Sequence, residues 1–368
     1  MRQVITSHTI KSISFLIAVL ILTACSISPK EQDDGPVFYP PLPNPPRIQH
    51  LLSLTTFNDL KESKSGFADF ILGEQSKESL VQKPYGIAVY NGKIYVVDAA
   101  KAGYMVLDLK TRQHKFVSGG ASGRMKKPIN ITIDIDGTKY VSDTGRAQVL
   151  VFDQNDKYIR AYGVKGQFKP SDVAILLDRL FVTDLKNHMV QVLDKATGKT
   201  LNHIGRVGSK EGEFFFPTNL EIGPDMHLYV TDTGNFRVQE FTLDGKFVKR
   251  FGSIGSGLGK FARPKGLTLD KNGNLYVVDA AFENIQLIND KGKLLLFFGQ
   301  PGDKPSDINL PAGISIDYSN VKFFQRYADQ KFKLDYVLLV TSQYGVNKIN
   351  IYGFGYMEGM DYSVTGKE

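Results

Sequence analysis

Tryptophan is absent from this chain of 368 residues, cysteine occurs once and histidine six times. One cysteine excludes a scaffold stapled by disulfides. The histidines, at 8, 50, 114, 188, 203 and 227, form no pair at zinc-ligand spacing. Blocks of like charge are missing too. The 45 Lys plus Arg are interleaved with 38 Asp plus Glu, so the net charge of +7 is spread out and draws no nucleic-acid footprint. No Gly-x-Ser-x-Gly elbow and no phosphate loop stands at a strand-to-helix junction. Long apolar runs are lacking, and after residue 30 no helical periodicity of useful length occurs.

The strongest apolar run, from Ile13 to Leu22, is broken only by Ser14 and follows the basic residues Arg2 and Lys11. About ten residues is the length of a secretion signal, half that of a membrane span. It ends in Leu22-Thr23-Ala24-Cys25, which resembles the bacterial lipobox. That resemblance implies cleavage of residues 1–24 and lipidation of Cys25, the sole cysteine. Position 26 is Ser rather than an inner-membrane-retaining Asp, so the same resemblance implies a bacterial outer-membrane anchor. Residues 25–46 are polar and proline-rich, with Pro36, Pro40, Pro41, Pro43, Pro45 and Pro46, and read as an extended tether.

From residue 80 onward one phrase recurs six times: proline, an apolar stretch, a turn, then an aromatic and β-branched strand ending in Asp. The prolines are Pro84, Pro128, Pro170, Pro217, Pro264 and Pro311, spaced by 44, 42, 47, 47 and 47. The acids are Asp98, Asp143, Asp184, Asp232 and Asp279, each 14 or 15 residues after its proline. The sixth repeat has Ser342 instead, and removing a 16-residue insertion at about 319–334 restores its spacing. A period in the forties with about four short strands per unit is the signature of a β-propeller. The run Asp232-Thr233-Gly234-Asn235-Phe236-Arg237-Val238-Gln239-Glu240-Phe241 resembles the NHL-repeat consensus, and the likeness spans roughly residues 80–355. The expected fold is therefore all-β, a six-bladed NHL-like propeller over residues 47–355, followed by a tail at 356–368. The sixth repeat stops at its third strand, so residues 47–54 are expected to supply the fourth and close the ring.

Acids repeated in nearly every blade are expected to cap turns through carboxylate-to-amide bonds. Two irregularities offer candidate sites. Two residues after each proline, where inner strands face the channel, stand Gly86, Asn130, Asp172, Asn219, Gly266 and Gly313. Asn130, Asp172 and Asn219 either cap their own strands or present oxygens to a hard cation such as Ca²⁺. The second arrangement resembles the channel metal sites of gluconolactonase and paraoxonase propellers, less their channel glutamate. The insertion carries Phe323, Phe324, Arg326 and Tyr327, aromatic and basic as protein interfaces are, and it either binds a partner or folds onto its own rim.

These features lead to two readings. The first is a non-catalytic scaffold, anchored at the cell envelope through its lipid, monomeric, binding a protein partner and no nucleic acid. Its insertion and the run from Val340 to Gly345 are similar to those of propellers that accompany secreted cytochromes, which implies an envelope complex of that kind. The second is a metal-dependent hydrolase or lyase working in the channel, resembling gluconolactonase or amidating-lyase propellers. With Asp172 as the one acid expected there, the scaffold is the preferred reading.

Overall fold

A proline opens every inner strand because a residue without an N–H is tolerated only at the first position of a strand or at its edge. The computed structural model describes residues 35–56, 59, 79–164 and 166–363. The expected signal segment and Cys25 lie outside them. Within the unit formed by residues 36–368, six antiparallel sheets make six blades. Their inner strands are Pro84–Tyr90, Pro128–Ile133, Pro170–Leu176, Pro217–Ile222, Pro264–Leu269 and Pro311–Asp317. The repeat reading therefore holds, and the fold is an all-β six-bladed propeller.

Each second strand ends at the recurring acid, or at Ser342 in blade 6. The register between first and second strands shifts just after every proline, as between Pro128 and Asn130, Pro170 and Asp172, and Pro217 and Asn219. Such a bulge re-aims the next side chain. Here it turns the residues two after proline into the channel. On the opposite side of the ring the same positions are glycines. A Cβ on Gly266 would stand 2.5 Å from the Ala312 carbonyl oxygen, so backbone from the next blade takes the side chain's place.

The apolar core is distributed between blades. Six separate clusters each join two neighbouring sheets. Ring closure is thus a packing requirement as well as a hydrogen-bonding one. The strand Ile48–Leu54 pairs antiparallel with Ile349–Met357 and completes blade 6, as expected. Ile48 is buried in the cluster between blades 5 and 6, and Leu54 in the cluster between blades 6 and 1.

Three boundaries differ from the sequence reading. A further strand, Phe38–Tyr39, pairs with Ile48–Leu54, so part of the expected tether belongs to the propeller. The last strand runs to Met357, and Tyr362 in the expected tail donates to the Pro46 carbonyl while its ring lies 4.5 Å from the Arg47 guanidinium. The insertion is a short helix, Val321–Phe324, a 3-10 turn, Gln325–Tyr327, and an extension of the second strand to Phe332–Ser342. Among the described residues no helix is long and apolar enough to cross a membrane.

Because blades share their core clusters, damage at the seam should act on the whole ring. Leu54→Ala is expected to cost about 2–5 kcal/mol and to lower a single cooperative melting transition. Loss of a small separate transition, with the main one unmoved, would contradict closure by this strand.

Candidate functional site

The five recurring acids are fully buried and serve the backbone. Asp143 accepts from Lys126 and Lys127 N–H before the inner strand, at 2.7 and 3.0 Å, and from Gly145 and Arg146 N–H after its own strand, both at 2.9 Å. Asp98 and Asp279 repeat the pattern. Asp232 takes the Phe215 N–H and pairs with Arg237 Nε at 2.9 Å. In blade 6, where Ser342 replaces the acid, Glu283 accepts from Leu310 N–H at 2.7 Å instead. These carboxylates clamp the loops at the channel end where inner strands begin.

Two cavities occupy the channel, and both are lined by Asn130, Asn219 and Gly313, which form a waist. The cavity at the strand-start end, about 200 Å³, is lined by Lys127, Lys169 and Lys265 and by no carboxylate. Burial, and then Arg263, hold the Lys265 ammonium down at about 8. The other cavity, about 380 Å³, contains Asp172 and Glu221 and no basic side chain. The basic and acidic side chains are therefore segregated to the two ends of the channel.

The structure brings Asn130, Asp172 and Asn219 together at the waist, but the acid's hydrogen-bonding capacity is engaged. Asp172, 5% exposed, accepts from Val173 N–H at 2.8 Å and Leu220 N–H at 3.1 Å. The Asn219 amide donates to it at 3.2 Å and the Asn130 side chain also bonds to it. Asn130 Oδ1 in turn accepts from Ile131 N–H. Burial pushes the Asp172 carboxyl up to about 7 against these donors. A calcium site needs ionised and neutral oxygens turned to one point, whereas here amide protons point at the carboxylate. These residues do not fit a resident divalent cation in this arrangement.

Glu221 was not identified from sequence. It sits two residues after Asn219 on the same strand face and accepts from the Thr268 hydroxyl at 3.2 Å. Burial pushes its carboxyl up to about 8, with Asp172 adding repulsion. The mouth lysines were also missed. For Lys127 and Lys169 the signal lies in the residue before each proline, which is Lys83, Lys127, Lys169 and Arg263 in four of six repeats, whereas Lys265 follows its proline.

The insertion residues divide. Phe324 and Phe332 are fully buried against blades 6 and 1, the arrangement of an arm folded onto its own rim. Phe323 and Tyr327 are partly buried in the same cluster, and the exposed Arg326 guanidinium lies 4.0 Å from the Phe323 ring centroid. Among the exposed aromatics, which also include Phe116, Phe297, Tyr344 and Tyr356, an adjacent pair directly precedes the blade 4 inner strand. Phe215 and Phe216 are 43% and 45% exposed, and the His188 ring stacks on Phe215 at 5.2 Å. Phe216 has φ +53, a costly conformation for a bulky residue, and its N–H donates to His188 Nδ1 at 2.9 Å. Among the described residues one three-membered group of metal-ligand type occurs, Asp225, His227 and Glu240. It lies outside the channel lining, with the Lys249 ammonium 3.3 Å from Glu240.

No family model matches the chain. Solved structures share its fold at low identity. A gluconolactonase from Xanthomonas campestris aligns with TM-score 0.57 and 14% identity over 87% of this chain and 95% of its own. Virginiamycin B lyase from Staphylococcus aureus gives TM-score 0.53 and 15% identity over 74% and 95%. A chain of a nidogen–laminin complex gives 0.50 and 16% over 60% and 81%. The chain is thus a six-bladed β-propeller of an architecture shared by lyases, gluconolactonases and binding propellers.

Both channel acids bind protons more tightly in the folded than in the unfolded chain. Their contribution to stability is therefore complete near pH 4 and is lost as pH rises to about 8. Glu221→Gln should match the wild-type melting temperature near pH 4.5 and exceed it by about 2–5 °C at pH 9. A gap that does not change with pH would contradict this.

Proposed function

We propose that the protein is a non-catalytic, lipid-anchored scaffold of the bacterial cell envelope that holds a protein partner on the rim of its channel. The observation carrying this reading is the hydrogen bonding of Asp172. A metal-binding acid presents free lone pairs to its ion, and this one gives them to two backbone and two side-chain amides. The recurring Asp residues are engaged in the same way.

The rim supplies what binding requires. Phe215 and Phe216 stand half-exposed on a backbone fixed by His188 and by the Asp232 clamp. Rigid exposed aromatics are the usual anchors of protein interfaces. The buried side of the insertion supports its role as a brace, so we take the rim as the partner surface instead. Fold likeness does not choose between the lyases and the propeller of the nidogen–laminin complex that share this architecture. Envelope attachment rests on the lipobox resemblance of Leu22 to Cys25, and a cytochrome is the first partner class to test.

A photo-crosslinking residue placed at Phe216 in cells should trap one discrete protein. The same residue at Ile135, 92% exposed in a turn after the blade 2 inner strand, should not. Haem staining of the adduct identifies a cytochrome. Cys25→Ser should move the protein out of the membrane fraction and weaken the trap. Equal trapping from both positions, or a membrane-bound Cys25→Ser protein, would overturn the corresponding half of the proposal.

A further inference from the structure

The cationic end of the channel is not explained by holding a protein on the rim. Lys127, Lys169 and Lys265 come from blades 2, 3 and 5 and line one concave cavity of about 200 Å³. Among the described residues no carboxylate lines it, and none of these three ammonium groups has an ion-pair partner. The acids Asp172 and Glu221 belong to the cavity beyond the waist. Some buried or half-buried cations elsewhere are paired: Lys139 with Asp156, Lys195 with Asp134 and Arg237 with Asp232. Three like charges facing one half-enclosed space repel each other, and low-dielectric walls strengthen that field.

The other mouth groups narrow the ligand class. The Ser and Thr hydroxyl groups are engaged within the protein: Thr144 donates to the Lys127 carbonyl, Ser171 bonds Thr183 and Thr218 bonds Thr233. The ammonium groups and the Tyr85 hydroxyl are thus the available donors. Between them the wall is apolar, formed by Tyr85, Ile129, Leu185 and Ala312. A cavity with apolar walls and a few convergent polar groups of one sign is built for a small molecule carrying the opposite sign. The lysines are also held in place from below. The Lys127 and Lys169 N–H groups are bound by the buried Asp143 and Asp184, which fixes where their side chains start.

We propose that this mouth binds a small organic carboxylate, with its acid group among Lys127, Lys169 and Lys265 and its apolar part against Tyr85, Ile129 and Leu185. The site is independent of the protein partner, which meets the rim outside it. Ammonium groups act as point charges without bidentate geometry, so the head group is selected by charge and the body by the apolar wall.

The test is calorimetric titration of the full chain, purified in detergent at low ionic strength, with benzoate, its neutral isostere benzamide, and inorganic phosphate. Benzoate should bind, and benzamide should bind at least about tenfold more weakly. Raising the salt to about 0.5 M should weaken benzoate, because screening acts on the charge term alone. Lys127→Gln and Lys169→Gln alter exposed side chains and should each lower benzoate affinity by roughly 3–10-fold, while Lys291→Gln, exposed in a distant turn, should not. Lys265→Gln should have the largest effect. If that variant does not fold, the two exposed variants decide the question. No benzoate binding up to about 10 mM, equal binding of benzamide, or equal loss in Lys291→Gln would overturn the proposal. Phosphate binding as tight as benzoate would overturn the assignment of an apolar body.

Discussion

A buried carboxylate at the end of the second strand holds the propeller's working face in place. In blades 1, 2 and 5 one Asp binds two backbone N–H groups before its inner strand and two after its own strand. Four donors around a desolvated anion make such bonds strong and costly to leave unmade. The loop so fixed ends at the proline that starts the inner strand. The bulge after that proline then aims the channel residue. Clamp, proline and bulge therefore act in series, and the positions of Asn130, Asp172 and Asn219 follow from them.

The same series explains why basic and acidic side chains are segregated to the two ends of the channel. Residues just before the prolines lie at the clamped end, where four of six are basic. Residues four after Pro217 lie on the other side of the waist, where Glu221 stands. The waist is made of amides and glycine, and the amides are engaged with Asp172. What a propeller of this kind does is thus decided at its mouth and rim, where side chains vary between blades, while the repeated features sustain the ring.

Features that recur with the repeat were legible in the sequence. The prolines, the clamping acids, the second strands and the seam at 47–54 could be read because each has six chances to show its spacing, and one missing strand has one place to come from. Features that depend on convergence were not legible. Phe323 and Phe324 are adjacent and chemically alike, yet one is buried and the other partly exposed, because a helical turn separates their directions. Lys127, Lys169 and Lys265 meet only after 138 residues of chain have closed around the channel. Asn130, Asp172 and Asn219 do meet at the waist, but that the two amides bond to the acid there was not legible from residue type. Glu221 has no acidic counterpart in the other repeats, where Ala88, Thr132, Ala174, Thr268 and Ser315 stand four residues after the proline, so the periodicity does not mark it.

The clamp is most directly tested by native-state hydrogen exchange in Asp143→Ala, followed residue by residue. Asp143 is expected to protect the amides of Lys126, Lys127, Gly145 and Arg146 in the wild type. In the variant those four should exchange about a hundredfold faster, while Ala262, Arg263, Ala281 and Phe282, held by Asp279, keep their rates. Fast exchange of the four amides in the wild type, or unchanged rates in the variant, would contradict the account.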